Sequence, residues 1–386
     1  MVVGTQKKPH LLVFVHCLFL IGAACLSLVP PAQAGELFTV DGVEVDVRAA
    51  SSTEAREVAL EHGQRAALGR LLRRLTQTAD HARLPDPLAA RLGDYVKGVE
   101  IQSEKASDVR YLATLSVSFD AERIRQLLRQ RGISYAETES KPVLVLPVLM
   151  SGSGPLLWEP DNLWFNAWAE RPLPDGLVPF MLPLGDLLDM SALSAEAALS
   201  ANHTALDNIA ARYDAGSVLV AVARLREAGS DAAPADGAGA SPRPKIVDLS
   251  GGWYGAALPD QTIVDRIEGA PGQTNANLLL GAANRLASYI DQRWKERNLL
   301  RFGTDEQILA FVPLQALSNW ITVRDRLADV AFVKNSQLIA MSRTEAQVLL
   351  TYLGDREQLE VALAQKDLSL TRKQNWWVLA ADGADR

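Results

Sequence analysis

The sequence predicts an α+β protein of three small modules, the last a ferredoxin-like split βαβ sandwich and the middle one an α/β layer. Three patterns lead to this prediction. Residues 38–140 combine an alternating strand with a leucine-striped helix, and residues 141–298 place helices between continuous apolar strands. Residues 305–382 follow the order β-α-β-β-α-β. We place the module boundaries at these residues.

The first module opens with a strand followed by a long helix. Valine alternates with charged residues over residues 43–47, which is the pattern of a half-buried strand. Ser51 and Glu54 have the spacing of a capping box, which predicts the start of a helix. Leucines at helical spacing mark its buried stripe: Leu60, Leu68, Leu71 and Leu75. A shorter helix after Pro87, two strands and a last helix complete the module.

The middle module has the pattern of an α/β layer. Residues 143–146 and 217–222 are continuous apolar runs, typical of strands that are buried on both faces, and helical segments fall between them. Residues 228–244 are rich in Ala, Gly, Pro and Ser, which predicts a flexible loop between two further strands. A long helix over residues 275–298 closes the module.

The last module has the clearest pattern. A strand, a helix, two strands, a helix and a terminal strand or hairpin follow one another, which is the split βαβ order of a ferredoxin-like sandwich. We expect a four-stranded antiparallel sheet backed by two helices. Trp376 and Trp377 are adjacent in the terminal strand, so their rings point to opposite faces and at least one is expected to be exposed.

The first thirty-four residues have the features of an export signal. Lys7 and Lys8 precede an apolar run over residues 11–29, and Pro30 ends any helix there. Ala32-Gln33-Ala34 has the small-x-small pattern of a cleavage site, so we expect cleavage after Ala34 and a periplasmic protein. Because the run is nearly long enough to cross a bilayer, an uncleaved anchor in the inner membrane is the alternative.

Composition excludes several classes of function for the exported chain. Both cysteines, Cys17 and Cys25, lie within the signal, which leaves no disulfide, thiolate nucleophile or cysteine metal ligand after cleavage. Without Lys7 and Lys8 of the signal the net charge falls from −7 to −9, which is opposite to that of a typical binder of nucleic acid or anionic lipid. The histidines lack zinc-site spacing, and no nucleophile elbow or phosphate loop is complete. We therefore predict no metal, no cofactor and no catalytic set.

Two stretches of the chain resemble the bacterial domain-of-unknown-function family 2066. One covers residues 43–76, and the other runs from Trp320 to Trp376 through the Tyr352-Leu353-Gly354-Asp355 segment. Both are patterns of hydrophobic residues and contain no chemical motif. The resemblance implies an exported envelope protein of Gram-negative bacteria without an established activity, and it implies no catalytic residues.

A tryptophan-rich segment over residues 157–168 is the candidate binding site. Exposed Trp158 and Trp164 beside Glu159 and Asp161 would be suited to bind or cleave a saccharide. The competing interpretation, which we favour, is that Trp164 and Trp168 dock a helix onto the sheet with Asp161 as its N-cap. Both tryptophans lie four residues apart, on one face of that helix.

The sequence as a whole predicts a non-catalytic periplasmic protein that works by contacting an envelope protein partner. The prediction depends on the export signal, on the lack of a catalytic set and on the small modules. The first alternative is binding or hydrolysis of cell-wall glycan through the tryptophan-rich segment, and the second is sensing of a small molecule by the middle α/β module.

Overall fold

The computed structural model describes residues 37–87, 91–172, 175–227, 244–255, 261–300 and 305–382, which form three β-sheets. The predicted α+β class is confirmed. The predicted export signal with its cleavage point at Ala34, and residues 228–243 of the predicted loop, lie outside the described residues. Within them, no helix is both long enough and apolar enough to cross a membrane.

The first module is a three-stranded antiparallel sheet covered by one long helix. Its elements are β1 (Thr39–Arg48), α1 (Ser52–Leu75), β2 (Val96–Ser107), β3 (Arg110–Phe119) and α2 (Ala121–Gln130). The strand order is β1-β3-β2. Ser51 caps α1, because its side chain accepts a hydrogen bond from the Glu54 N–H at 3.2 Å. Of the helix predicted after Pro87, residues 88–90 lie outside the described residues, and Leu92–Asp94 form a 3-10 turn, in which Gly93 weakens helix formation.

The middle module is a six-stranded mixed sheet between two layers of helices. Its strands are β4 (Val143–Ser151), β5 (Gly154–Leu156), β6 (Phe180–Met181), β7 (Ser217–Glu227), β8 (Lys245–Gly255) and β9 (Gln261–Glu268). Its helices are α3 (Leu163–Ala169), α4 (Leu187–Ala192), α5 (Ala195–Leu199), α6 (His203–Arg212) and α7 (Asn275–Arg297). The order is β5-β4-β7-β8-β9, with β6 beside β4. As expected for an α/β layer, β4 and β7 are parallel and connected through helices.

Side-chain alternation along β4 divides the middle module into two cores. Val143 and Val145 face α3 and α7, whereas Leu144 and Leu146 face α4, α5 and α6. Glycine is required where β8 approaches β7: a Cβ on Gly251 would lie 2.0 Å from the Val220 carbonyl oxygen, and its φ is +152°. The glycine-rich stretch is therefore a close backbone approach within the sheet.

The last module departs from the predicted four-stranded antiparallel sheet. Its elements are β10 (Glu306–Pro313), α8 (Leu317–Ala328), β11 (Val333–Met341), β12 (Glu345–Tyr352), α9 (Arg356–Ala364), β13 (Leu368–Lys373) and β14 (Trp376–Ala381). Five strands lie in the order β11-β12-β10-β14-β13. The chain after α9 forms a hairpin, and its second strand, β14, inserts next to β10 in parallel. The first split βαβ unit is present, but the four-stranded prediction is wrong.

The three modules share one continuous core. Residues 133–140, which connect the first two modules, are mostly buried, and Tyr135 pairs with both Thr76 and Leu300. A partly buried ion-pair cluster joins α1 to the middle module: Arg70 Nε and an Arg74 guanidinium nitrogen lie 2.6 and 2.7 Å from the Asp175 carboxylate. The surfaces of each module are therefore held in a fixed arrangement.

Candidate functional site

The tryptophan-rich segment is an anchor for α3. Trp164 is completely buried, and its indole N–H donates a hydrogen bond to the Ala221 carbonyl at 2.9 Å. Its ring meets that of Trp168 edge-on at 5.8 Å, and Trp168 is also buried. Because buried Trp N–H groups require partners, this bond fixes the helix on β7. This arrangement favours the packing interpretation.

The prediction that Asp161 caps α3 is wrong, because the next residue, Asn162, occupies that position. The Asn162 amide oxygen accepts hydrogen bonds from the Trp164 and Phe165 N–H groups at 3.0 and 3.1 Å. Its amide nitrogen donates to the carbonyls of Pro147 at 2.9 Å and of Leu157 at 3.1 Å. Asn162 is buried, and a carboxylate could not donate to those carbonyls.

The four predicted site residues do not meet around one groove. Trp164 is enclosed, whereas Glu159 and Asp161 are exposed. Trp158 is half-buried, and its indole N–H donates to the Leu193 carbonyl at 2.7 Å. Glu159 accepts a hydrogen bond from the Leu157 N–H at 2.7 Å. The Trp158 ring instead lies against Gly185, at the edge of a different surface.

That surface consists of exposed aliphatic side chains at and just before α4. We call Leu184, Leu187, Leu188 and Met190 the leucine surface. Their exposed fractions are 78, 82, 61 and 44%. Single exposed leucines are ordinary, but several large side chains so exposed within seven residues form a patch typical of an interaction site.

A buried carboxylate holds the leucine surface in place. Asp189 has no exposed area, and one of its oxygens accepts hydrogen bonds from the Gly185 N–H at 2.9 Å and the Tyr213 hydroxyl at 2.6 Å. Arg212 Nε lies 2.9 Å from the other oxygen. The Tyr213 oxygen in turn accepts a hydrogen bond from the Leu184 N–H at 2.8 Å. Burial, together with the hydrogen bond to Asp189, raises the pKa of the Tyr213 hydroxyl.

The N-cap of α4 continues this network to the surface. Asp186 accepts hydrogen bonds from the N–H groups of Leu188 and Asp189, both at 3.0 Å, and contacts Arg212 at 2.6 Å. The hydrogen bond from the Asp189 N–H, with the positive charge of Arg212, lowers the pKa of the Asp186 carboxyl. The exposed leucines therefore stand on a backbone that is fixed at the start of a short helix.

The chain segment that contains the leucine surface is acidic. Between residues 182 and 216 the chain has five acidic residues and a single arginine, Arg212. The acidic residues are Asp186, Asp189, Glu196, Asp207 and Asp214. An incoming anionic surface would be repelled there, and a cationic one would be attracted.

A polar cleft lies between the first and last modules. It encloses about 450 Å³. In it, buried Glu137 accepts a bidentate pair of hydrogen bonds from Arg125 at 2.7–3.1 Å. Burial raises the pKa of Glu137, although Arg125 opposes this, and burial raises the pKa of Tyr135 to about 12. Because the Glu137 carboxylate is already bound to Arg125, we interpret the cleft as part of the packing interface between modules and not as a ligand site.

No metal site is apparent within the described ranges, since no three His, Cys, Asp or Glu side chains lie close enough to bind an ion. The sequence interpretation missed the leucine surface altogether. A usable signal was present: in Leu-Gly-Asp-Leu-Leu-Asp-Met two adjacent leucines lie between aspartates, in a helix that is too short to bury both leucines.

Comparison with protein families finds a match for the first module. A family model described as a domain of unknown function, DUF8605, matches residues 38–137, which correspond to the first module. The expected resemblance to family 2066 is therefore wrong, since the matching family is a different one. The patterned hydrophobics of α1 that carried it are common to many amphipathic helices. Neither a curated protein nor a solved structure matches the chain.

Proposed function

We propose that the protein is a non-catalytic interaction module of the periplasm that binds an envelope protein partner through the leucine surface. The observation that carries the proposal is the exposure of Leu184, Leu187 and Leu188 on a backbone held by buried Asp189. A buried charge network is costly to assemble, and here it fixes side chains that are largely exposed. Such preorganised apolar groups are the usual anchors of an interface.

The charges around the surface define the chemistry of the partner. A second copy of this chain would bring the same acidic surroundings against itself, and an anionic lipid surface would meet the same repulsion. We therefore assign the partner as a protein segment that combines apolar side chains with lysine or arginine. Burying each leucine contributes about 1.5–3 kcal/mol, and association costs about 4 kcal/mol or more. The three leucines thus require electrostatic attraction to give useful affinity.

A defined peptide tests this chemistry. The probe is a fluorescent amphipathic helix with leucine on one face and lysine on the other, and its anisotropy is measured with the purified protein. We expect saturable binding that weakens as salt is added. Replacing all three leucines with serine should weaken binding at least about tenfold, because the acidic residues remain while the apolar contact is lost. The leucines are exposed, so the triple variant should fold normally.

Matched controls separate the proposal from nonspecific attraction between opposite charges. A peptide with glutamate in place of lysine should not bind, and Val109→Ser, which alters an apolar side chain 50% exposed in the first module, should change nothing. Equal binding by the triple serine variant would show that charge alone attracts the peptide and would contradict the proposal. The proposed export is tested separately by N-terminal sequencing of the protein, which should begin at Gly35.

A further inference from the structure

A groove crosses the side of the middle sheet on which α4, α5 and α6 pack. These helices cover β4 and β7, and the sheet continues past them to β8 and β9. On β9, Val264 is 79% exposed on this side. The groove has a volume of about 810 Å³. Pockets for small molecules usually measure about 300–1,000 Å³, so its size suits a small ligand. We call it the sheet groove.

The sheet groove lies at the carboxyl end of the parallel pair β4 and β7. Met150, the next-to-last residue of β4, lies opposite Arg224 on β7, and both line the groove. The same row continues over the neighbouring strands, where Asp248 lies opposite Arg224 and Arg266 lies opposite Asp248. Open α/β sheets bind ligands outside the carboxyl ends of their parallel strands. The groove therefore has the position of a ligand site.

One arginine of the sheet groove has no counter-ion among the described residues. Asp248 accepts hydrogen bonds from Arg226 Nε at 2.6 Å and from Arg266 Nε at 2.8 Å, one on each oxygen. The bond from Arg226, together with that from Arg266, lowers the pKa of the Asp248 carboxyl, which is therefore charged at neutral pH. Arg224 lies directly opposite Asp248, but its side chain forms no hydrogen bond or ion pair with any described residue. Its guanidinium is available to an anionic ligand.

The described charges on this side of the sheet leave an excess of one positive charge. On β7, β8 and β9 the three arginines share this side with two carboxylates, Asp248 and Glu268. Asp265 also borders the groove, but its carboxylate lies 2.7 Å from Arg285 Nε on α7, and Glu196 on α5 does not line the groove. A ligand with one negative charge balances the excess, whereas a phosphate monoester would bring about two. The charges therefore favour a monocarboxylate.

Aliphatic side chains form the rest of the sheet groove. Val222 on β7 is buried and Met150 on β4 is half-buried. Leu199 on α5 and Val264 on β9 are 38% and 79% exposed. Because no aromatic side chain of the described residues lines the groove, a planar ring would find no stacking partner there. A flexible aliphatic chain suits it better, since methionine adapts to irregular apolar shapes and each buried methylene adds affinity.

From these observations we infer that the sheet groove binds a medium-chain carboxylate, with its head group on Arg224 and its aliphatic chain over Met150 and Val264. A guanidinium can hold a carboxylate by two parallel N–H donors, which fixes the position of the head group. The inference goes beyond the proposed function, because it uses none of the residues of the leucine surface. Carboxylate binding and partner binding can therefore fail independently.

Isothermal titration calorimetry of the purified protein with octanoate, below its micellar concentration, tests the inference. We expect saturable binding that Arg224→Gln weakens at least about tenfold, since the variant loses a hydrogen-bonded charge pair. Val264→Ser should weaken binding at least about threefold, because part of the apolar contact is lost. Both side chains are exposed, so both variants should fold normally. Octanamide, which has the same chain without the charge, should bind at least about tenfold more weakly.

Two control proteins locate the bound octanoate. Arg343→Gln removes another exposed arginine, in the last module, and should change nothing. Replacing Leu184, Leu187 and Leu188 with serine removes the leucine surface, and octanoate should still bind with unchanged affinity. Loss of octanoate binding in that triple variant would place the ligand on the leucine surface and would overturn the inference.

Three other results would also overturn it. These are no saturable heat with octanoate, unchanged affinity in Arg224→Gln, and equal affinity for octanamide. Octyl phosphate distinguishes the two kinds of acidic head group and should bind no more tightly than octanoate. Tighter binding of octyl phosphate would assign the groove to a phosphate group and contradict the carboxylate assignment.

Discussion

Replacing Asp189 with alanine tests whether a buried carboxylate supports the leucine surface. The substitution removes the acceptor of hydrogen bonds from the Gly185 N–H and the Tyr213 hydroxyl, and it removes the ion partner of Arg212 Nε. Hydrogen bonds to a charged group are worth about 1.5–3 kcal/mol each. Because the contacts belong to one network, their effects do not simply add.

We expect the free energy of unfolding to fall by about 3–5 kcal/mol, the usual cost of breaking a buried pair by removing one partner. The assay is equilibrium unfolding in urea, followed by far-ultraviolet circular dichroism. Asp207→Ala is the matched control, since Asp207 is an exposed carboxylate on α6 and its loss should cost no more than about 0.5 kcal/mol. The variant should also bind the leucine–lysine peptide more weakly under conditions where it remains folded.

A loss below about 1 kcal/mol for Asp189→Ala would refute this reasoning, because it would mean that the network adds nothing to the fold. Unchanged peptide affinity in a folded Asp189→Ala protein would refute the second step. In that case the leucines would reach the partner without a fixed backbone, and preorganisation would have no part in binding.

Three further predictions concern the scaffold. Burial alone would raise the pKa of Asp175, but hydrogen bonds from two arginines of α1 outweigh it and lower that pKa below its ordinary value of 3.8. Asp175→Asn should therefore lower the urea midpoint at about pH 7. The difference in midpoint between the variant and the unchanged protein should disappear as the pH falls below about 3.8, and a difference that persists there would contradict this. Gly251→Ala should destabilise the fold by more than about 2 kcal/mol, while Gly281→Ala, where a Cβ meets nothing within 4 Å in a helix, should be neutral or stabilising. Trp164→Ala should cost about 3–5 kcal/mol in the same assay, and half-exposed Trp376→Ala much less; similar losses would contradict the difference in burial.

Local patterns were sufficient to predict much of the fold. The cap at Ser51 and the leucine stripe of α1 follow from spacing alone, and the parallel pairing of β4 with β7 follows from continuous apolar runs. The terminal hairpin was left open by the sequence, because pairing of β14 beside β10 is a long-range choice that strand propensity does not encode. The same limit applied after Pro87, where the described residues Leu92–Asp94 form a 3-10 turn.

The site was harder to predict than the fold. The density of tryptophans pointed to residues 157–168. Whether a ring is buried, however, depends on the elements that pack over it. Trp164 is buried against β7, where its indole N–H donates a hydrogen bond to the Ala221 carbonyl. The sequence does not distinguish Asn162 from Asp161 as the N-cap, because Asn and Asp have equal preferences for that position. Asn162 is favoured by the surrounding carbonyls, such as that of Pro147, because its amide can donate hydrogen bonds to them. Strand alternation predicts that at least one of Trp376 and Trp377 is exposed, and Trp376 is 53% exposed.

The most direct measurement of the central claim is site-specific photocrosslinking in living cells, with a photoreactive residue at Leu187 or, as a control, at Val109. The account predicts a protein crosslink from Leu187 only, which disappears when Leu184 and Leu188 are replaced with serine. The crosslinked protein, once purified, should bind the purified chain with an affinity that falls as salt is added. Crosslinks to lipid or to a second copy of the chain, equal crosslinking from Val109, or a crosslink that survives the serine substitutions would contradict it.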